Sequence, residues 1–414
     1  MKLLIVSHVV HYEEGTRLYA YGPYAREVDV WAELFSEVAI AAPCRKERAP
    51  GDCLPFARRN ISIIPQRETG GETWRAKLRQ IILLPLLVFD LVCAMRRADA
   101  IHIRCPGNLG LLGAILAPFF SKFLVAKYAG QWTGYPGETW SVRLQRRLLR
   151  SSWWRGPVTV YGAWPDQPAH IIPFFTSIMT REQMMRAGRS AVRRRSDGKL
   201  RVLYVGRLTA AKNVEAVLSA LAQLRDAQRD LSCTIVGDGP RRARLIEMVK
   251  ELRLEDRVTF AGSVGFERAL DFYDWANVLV LVSETEGWPK AIAEAMAFGL
   301  ICIGSDRGLI PQMLADGRGI VVPPGDAQAL ATALADIATH PASYDAMRAR
   351  AVAWAERFSL DDLRDALRHL LSLWWDVELA GPVIEAHDRI DTASQIEAGE
   401  SSDSIRRSAH ARRT

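Results

Sequence analysis

The segment Ser283-Glu284-Thr285-Glu286-Gly287-Trp288-Pro289-Lys290-Ala291-Ile292-Ala293-Glu294-Ala295-Met296-Ala297-Phe298-Gly299 decides how this chain reads. It follows an apolar run, Val278–Val282, of strand length, and it opens a helix in which Pro289 suits the first turn. The amides of Lys290, Ala291 and Ile292 then point out of the helix start, where an anionic phosphate can be held. Glu294 lies about two turns further on, and its carboxylate can accept two hydrogen bonds from a vicinal diol such as a ribose. The same residues also fit a plain helix with acidic side chains near its positive end.

Working outward, the strand-then-helix pattern repeats. Arg201–Val205 is a strand, and Gly206-Arg207-Leu208-Thr209-Ala210-Ala211-Lys212-Asn213 is the loop that follows it. Two cations five residues apart on such a loop can neutralise a diphosphate, or can simply be solvated. The helix after it shows one apolar face: Val214, Val217, Leu218, Leu221 and Leu224. Cys233–Val236 leads into Gly237-Asp238-Gly239-Pro240, a glycine turn that suits close backbone approach to a ligand and equally a structural turn. It lacks the third glycine of a dinucleotide fingerprint, because Arg242 stands there. Further strands fall at Val258–Phe260 and Leu300–Ile303.

The N-terminal half alternates in the same way. Strands are expected at Leu3–Val6, Val38–Ala42, Ala100–Ile103 and Phe123–Tyr128, with shorter ones at Val158–Val160 and His170–Pro173. Helices are expected from Pro23 and over Leu109–Phe120, the latter capped by Asn108. Strands alternating with helices imply parallel sheets covered on both faces, whose ligands bind beyond the carboxyl ends of the strands. Two such series predict an α/β protein of two Rossmann-like domains facing a cleft. The expected divisions are residues 1–178, a polar Arg-rich linker at 179–198, a second domain at 199–357, and a tail from 380 whose composition suits disorder.

In the first domain the stretch His8–Gly22 is long for a loop and carries His8, His11, Arg17 and Tyr19, residue types that suit sugar hydroxyls and rings. Arg104-Cys105-Pro106-Gly107-Asn108 is a second strand-end loop, in which Arg104 fits either a ligand phosphate or a structural ion pair.

Composition bounds the rest. The 414 residues are 49% hydrophobic and 24% charged, with 54 basic against 47 acidic side chains and a net charge of +7. That bias favours anionic partners only mildly, and nothing beyond charge suggests nucleic acid. The six cysteines form no C-x-x-C pair and no zinc spacing, so neither disulfides nor a metal is expected. The first apolar run is too short for a signal peptide and reads as a core strand. Ile81–Met95, interrupted by Pro85 and Asp90, is too short to span a bilayer. From Trp74 to Arg155, thirteen Lys and Arg stand against three Asp and Glu, interleaved with Trp and Leu. Such a stretch fits the interface of an anionic membrane as well as it fits an amphipathic helix packed on a sheet.

Taken together, the motifs from about Arg201 to Phe358 resemble the donor-binding domain of the family-four retaining glycosyltransferases, the glycosyl transferases group 1 family, of GT-B fold. The resemblance rests on Glu286-x7-Glu294, Gly206-Arg207-Leu208…Lys212, Gly237–Pro240, and Pro324-Gly325-Asp326 before Leu330-Ala331. It implies Arg207 and Lys212 on the diphosphate of a nucleotide sugar, Glu294 on the ribose and Glu286 near the transferred sugar. Gly206, Gly237, Gly239, Gly262, Gly287, Trp288, Lys290 and Ala291 would complete the donor site, with the base near Phe260–Val264. A metal-independent reaction without cofactor is implied, and Phe358-Ser359-Leu360 with the helix after it resembles a closing helix, at 358–379, that returns to the first domain. The acceptor, a saccharide or lipid-linked saccharide, would meet the first domain at His8, His11, Arg17, Tyr19, Arg104, Asn108, Tyr128 and Gln131. A cytoplasmic enzyme is implied, peripheral on the inner face of the membrane if the basic stretch touches lipid.

The chain departs from the family in three places, one of them the first loop, where the family's glycine pair is absent and Gly15 and Gly22 stand instead. The usual Glu-Gly-Phe-Gly reads Glu286-Gly287-Trp288-Pro289 here, and Tyr128 or Gln131 stands where the family often has a donor-touching His. An epimerase or phosphorylase of the same architecture, or a non-catalytic nucleotide-sugar binder, would share most of these features.

Overall fold

The computed structural model describes residues 1–68, 74–135, 137–194, 199–225 and 230–379, with only the backbone of 74–81. The tail expected from 380 lies outside the described residues. The chain divides into two compact units, one of Met1–Thr176 with the chain from Leu360, the other of Ser177–Ser359.

In the first unit the elements run β1 (Lys2–Val6), β2 (His11–Glu14), β3 (Arg17–Tyr21), α1 (Gly22–Leu34), β4 (Glu37–Arg45), β5 (Cys53–Pro55), β6 (Ile61–Gln66), α2 (Trp74–Met95), β7 (Ala100–Cys105), α3 (Asn108–Leu116), β8 (Phe123–Tyr128), α4 (Trp140–Arg150), β9 (Val158–Tyr161) and β10 (Ile171–Phe174). The parallel core of its sheet runs β10-β9-β8-β7-β1-β4, with β6 on β4. Chain order therefore reverses between β1 and β7.

The second unit runs α5 (Arg181–Arg193), β11 (Leu200–Val205), α6 (Val214–Leu224), β12 (Leu231–Val236), α7 (Arg242–Glu251), β13 (Val258–Gly262), α8 (Phe266–Trp275), β14 (Val278–Leu281), α9 (Lys290–Ala297), β15 (Ile301–Ser305), α10 (Ile310–Leu314), β16 (Ile320–Val322), α11 (Ala327–Thr339) and α12 (Asp345–Ala355). Its sheet order is β13-β12-β11-β14-β15-β16, all parallel. This is the doubly wound Rossmann order, which reverses between β11 and β14. Both units are thus Rossmann-like α/β folds.

The last helix, α13 (Leu360–Trp375), belongs to the first unit. Leu363, Leu367, Leu371 and Trp375 join Trp31, Phe35 and Val38 on one face of the sheet. The other face is covered by Leu87, Leu91, Met95, Leu109, Leu149 and Trp154. Two apolar layers against one sheet are what near-continuous strands such as Leu3–Val6 require.

Three expectations are corrected. The stretch His8–Gly22 is not a loop, because His11–Glu14 and Arg17–Tyr21 pair antiparallel across a turn at Gly15, whose φ of 59° suits glycine. Asn108 does not cap α3; Gly107 holds that position, and Asn108 is the first helical residue. The proposed linker at 179–198 contains α5, started by a capping box between Thr180 and Gln183. That helix is tied to the second unit by Arg186 on Asp271 at 2.7 Å, Ser190 on Asp274, and Arg194 on the carbonyls of Tyr273 and Phe298.

Candidate functional site

In an open α/β sheet the crevice for a ligand lies where chain order reverses, beyond the strand ends. In the second unit those ends carry the loops after β11 and β14, which hold the residues singled out by sequence.

The two loops are strapped together. The Glu284 amide donates to the Ala211 carbonyl at 2.8 Å, and the Asn213 side-chain amide donates to Val282 O at 3.1 Å and to Glu284 Oε1 at 2.6 Å. Asn213 adopts a left-handed conformation, φ 50°, which Asn tolerates better than most side chains. These ties bring the Lys212 ammonium onto Oε1 of Glu286 in a partly buried ion pair. Arg207 stands exposed two residues beyond β11.

The glycines hold backbone against backbone. A Cβ on Gly237 would stand 2.0 Å from Gly206 O, and one on Gly239 would stand 2.4 Å from Leu208 O. The amides of Gly206 and Leu208 donate to Val236 O and Asp238 O at 3.0 and 2.9 Å, and the Gly237 amide donates to Gly262 O at 2.8 Å. The Gly237–Gly239 turn is therefore the bed on which the Gly206–Leu208 turn lies. The close approach these glycines permit includes approach to another loop.

At the start of α9 the Ile292 amide donates to Pro289 O at 3.0 Å. It is not available to a ligand as expected, which leaves the Lys290 and Ala291 amides as the outward pair of the first turn. Glu294 is buried, and its Oε2 accepts from the Tyr273 hydroxyl at 2.7 Å. Burial and the Glu294 charge together push the Tyr273 phenol well above its ordinary pKa.

Trp288 follows Gly287 in the site loop, yet its ring packs on Trp354 at 6.0 Å and edge-on to Phe358 at 5.2 Å. It props the loop from within the second unit. A segment that sequence reading passed over lies across this loop: Gly308, at φ 57°, approaches Glu286 so closely that a Cβ would fall 2.0 Å from its carbonyl oxygen. The Leu309 amide donates to the same oxygen at 3.3 Å.

In the first unit the reversal point lies between β1 and β7, and there the loops bearing His8 and Gly107 meet. A Cβ on Gly107 would be 2.5 Å from the His8 ring. Burial and then the Arg104 charge lower the His8 pKa. Arg104 is in an ion pair: Oε1 of buried Glu27 lies 3.1 Å from Arg104 and 2.9 Å from Lys127. Burial opposes the Glu27 charge, but the two cations hold its carboxyl well below the usual carboxylate range. Glu27 and Lys127 were missed from sequence. The available signal was an acidic residue on the apolar face of Tyr24, Val28 and Trp31.

His11 is corrected too. It is fully buried, stacked on Phe56 at 5.8 Å and edge-on to Tyr24 at 5.5 Å, with burial lowering its pKa to about 4. Tyr128 is likewise buried, edge-on to Trp132 at 5.0 Å. Gln131 donates to Thr133 Oγ1 at 3.2 Å. Arg17 is exposed and Tyr19 half-buried on the hairpin, opposite Glu14 and Tyr12 respectively. Buried Gln145, also missed, accepts the Gly107 amide at 2.9 Å beside Asn108.

The family model of glycosyl transferases group 1 matches residues 189–354, the span that carries the β11 and β14 loops. Over these residues the chain is similar to the glycosyl transferases group 1 family. The chain is 30% identical over 207 residues to alpha-D-kanosaminyltransferase of Streptomyces kanamyceticus, a match covering 49% of this chain and 54% of that protein. It is 32% identical over 240 residues to D-inositol 3-phosphate glycosyltransferase of Streptomyces scabiei, covering 54% and 53%. The chain thus spans about half the length of these two relatives.

Among solved structures it resembles Anabaena HepE in complex with UDP and glucose, with a TM-score of 0.63 at 17% identity, covering 90% of this chain and 99% of that one. It also resembles sucrose-phosphate synthase of Thermosynechococcus elongatus, with a TM-score of 0.66 at 22% identity, covering 91% and 99%. Those likenesses extend over both units and establish the GT-B fold class. Within the group 1 segment, the Lys212–Glu286 pair, the Lys290 and Ala291 amides and Glu294 all lie on the loops and helix of the β11/β14 reversal.

Proposed function

We propose that the chain is a retaining glycosyltransferase that moves a sugar from a nucleotide-diphosphate sugar to a saccharide or lipid-linked saccharide, in the building of a cell-surface polysaccharide or glycolipid on the cytoplasmic side. The observation that carries this reading is the convergence of Lys212, Glu286 and the start of α9 at one reversal point. A diphosphate has a cation and two outward amides to meet there, and exposed Arg207 adds a second cation. Buried Glu294, oriented by Tyr273, takes the ribose.

In the reaction the bond from the anomeric carbon to the diphosphate breaks, and the electron pair leaves with the nucleoside diphosphate. The acceptor hydroxyl oxygen bonds to the same carbon on the same face, and its proton passes to the departing phosphate. Lys212 and Arg207 favour the charge that grows on the leaving group. Glu286 favours the positive charge that builds at the anomeric carbon. The two cations supply the role a divalent ion would otherwise fill, so the reaction is metal-independent.

A panel of nucleotide sugars tests the proposal, first by thermal shift, since a bound donor raises stability by mass action, then by nucleoside diphosphate release with saccharide acceptors. Release that depends on acceptor supports the transferase. Conversion of the nucleotide sugar without acceptor would assign an epimerase instead, and binding without any release would assign a non-catalytic binder.

A further inference from the structure

α2 is apolar on two opposite faces. Leu87, Leu91 and Ala94 are buried against the sheet of the first unit. On the other side Ile82, Leu86 and Phe89 follow at the four- and three-residue spacing of a single helical stripe, and they are 66%, 47% and 65% exposed. A helix that is hydrophobic all round is ordinarily covered all round.

α3 packs beside α2, and α4 beside α3. At the far side of α3 the apolar surface resumes: Phe119, 68% exposed, meets the ring of Trp153 edge-on at 5.3 Å, and the Trp153 indole N–H donates to Ala114 O at 3.1 Å. Trp140 and Leu144 are exposed on α4.

The same region carries exposed cations: Arg147, Arg150 and Arg155. None of these three has an acidic partner among the described residues. The three acids between Trp74 and Arg155 are engaged elsewhere. Asp90 pairs with Arg67, Asp99 accepts the Lys2 amide, and Glu138 pairs with Arg146. Apolar and aromatic side chains among uncompensated Arg and Lys are the composition of a surface that sits in a lipid interface. Among the described residues no helix is long and apolar enough to cross a membrane.

We propose that this face of the first unit, α2 with Phe119, Trp153 and the surrounding cations, docks on a membrane of anionic lipid. Ile82, Leu86, Phe89 and Phe119 enter the headgroup boundary, and Arg147, Arg150 and Arg155 meet lipid phosphates. A second copy of the chain fits the face less well. A two-fold contact apposes the same patch to itself, so it would set these cations against their own copies.

The test is co-sedimentation of the full chain with phosphatidylglycerol vesicles and with phosphatidylcholine vesicles. The expected result is at least about tenfold preference for the anionic vesicles, lost in about 1 M salt, where the screening length is about 3 Å. Arg147→Gln with Arg150→Gln should weaken anionic binding roughly 25-fold, about fivefold for each cation removed. Ile82→Ser with Phe89→Ser should weaken it by about tenfold or more, the scale of losing several buried methylene groups. Thermal unfolding confirms that each variant is folded, and nucleotide-sugar binding by thermal shift should be unchanged in both, which separates this proposal from the enzymatic one. Equal binding to both vesicle types overturns the proposal, as does binding to neither. A dimer seen by sedimentation velocity and abolished by Ile82→Ser with Phe89→Ser would assign the face to self-association instead.

Discussion

The Tyr273 hydroxyl donates to Glu294 Oε2 at 2.7 Å, and both side chains are buried. The phenol comes from α8 and the carboxylate from α9, so the bond fixes the orientation of a site carboxylate from a neighbouring helix. Tyr273→Phe keeps the ring stack on Phe298, 5.8 Å between centroids, and removes only the donor. A hydrogen bond to a charged group contributes about 1.5–3 kcal/mol, so the variant should unfold at lower temperature. If Glu294 binds a non-reacting part of the donor, donor KM should rise several-fold with kcat nearly unchanged. An unchanged KM would show that Glu294 needs no help from Tyr273.

Lys212 is held by Glu286, whereas Arg207 is exposed. Both are assigned to the leaving diphosphate, so Arg207→Ala or Lys212→Ala should each lower kcat/KM by roughly 10²-fold or more, the scale of removing one electrostatic group from an active site. Chelating divalent ions should leave the wild-type rate unchanged. Near-normal turnover in both variants would remove these residues from the chemistry, and a rate abolished by chelation and restored by a divalent ion would refute the metal-independent reading.

Sequence made the second unit largely legible. Each of its loops follows a buried strand and precedes an apolar helical face, and the reversal at β11/β14 comes from strand order. It did not disclose what the glycines do, because close approach to a ligand and close approach to another loop select the same residue. Gly237 beneath Gly206 makes the second kind of approach. The hairpin was missed although Gly15-Thr16 is a two-residue turn, since the polar strands around it lack apolar alternation. α5 was misread as a linker because it docks through Arg186, Ser190 and Arg194, and a polar interface leaves no apolar period to read. Arg104 could not be resolved until its partner Glu27, seventy-seven residues earlier, was seen at 3.1 Å.

The first unit should weaken in acid. His102 is buried and stacked on Trp31 at 4.4 Å, and burial drives its pKa down to about 3, while His11 falls to about 4. Unfolded histidine titrates near 6.5, so below that pH the unfolded chain binds protons that the folded chain refuses. Stability is therefore complete above about pH 6.5 and is lost as pH falls towards 4, by up to about 1.4 kcal/mol per pH unit for each histidine. The depressed Glu27 carboxyl adds a loss of the same sign below the unfolded carboxylate range. Urea unfolding at pH 7.5, 6.5 and 5.5 measures the slope. The double variant His11→Phe, His102→Phe should flatten it, and an unchanged slope would locate the protons elsewhere.

The last prediction separates two carboxylates that look alike in sequence. Glu294 lies inside α9, past the amides of its first turn, and is fixed by Tyr273. Glu286 lies before the helix, on the loop between the Lys212 ammonium and the backbone of Gly308. A ribose does not react, so losing its partner should weaken ground-state and transition-state binding alike. Glu294→Gln should then raise donor KM more than it lowers kcat, and moderately, because the amide still accepts one hydrogen bond. Positive charge develops at the anomeric carbon only as the bond breaks, so Glu286→Gln should lower kcat strongly while KM moves little. The same substitution also releases Lys212 from its ion pair. That frees a cation for the diphosphate, which should hold KM steady or lower it. Steady-state kinetics of both variants with the donor found by the nucleotide-sugar panel decide the matter. If Glu286→Gln altered only KM while Glu294→Gln abolished kcat, the two assignments would have to be exchanged.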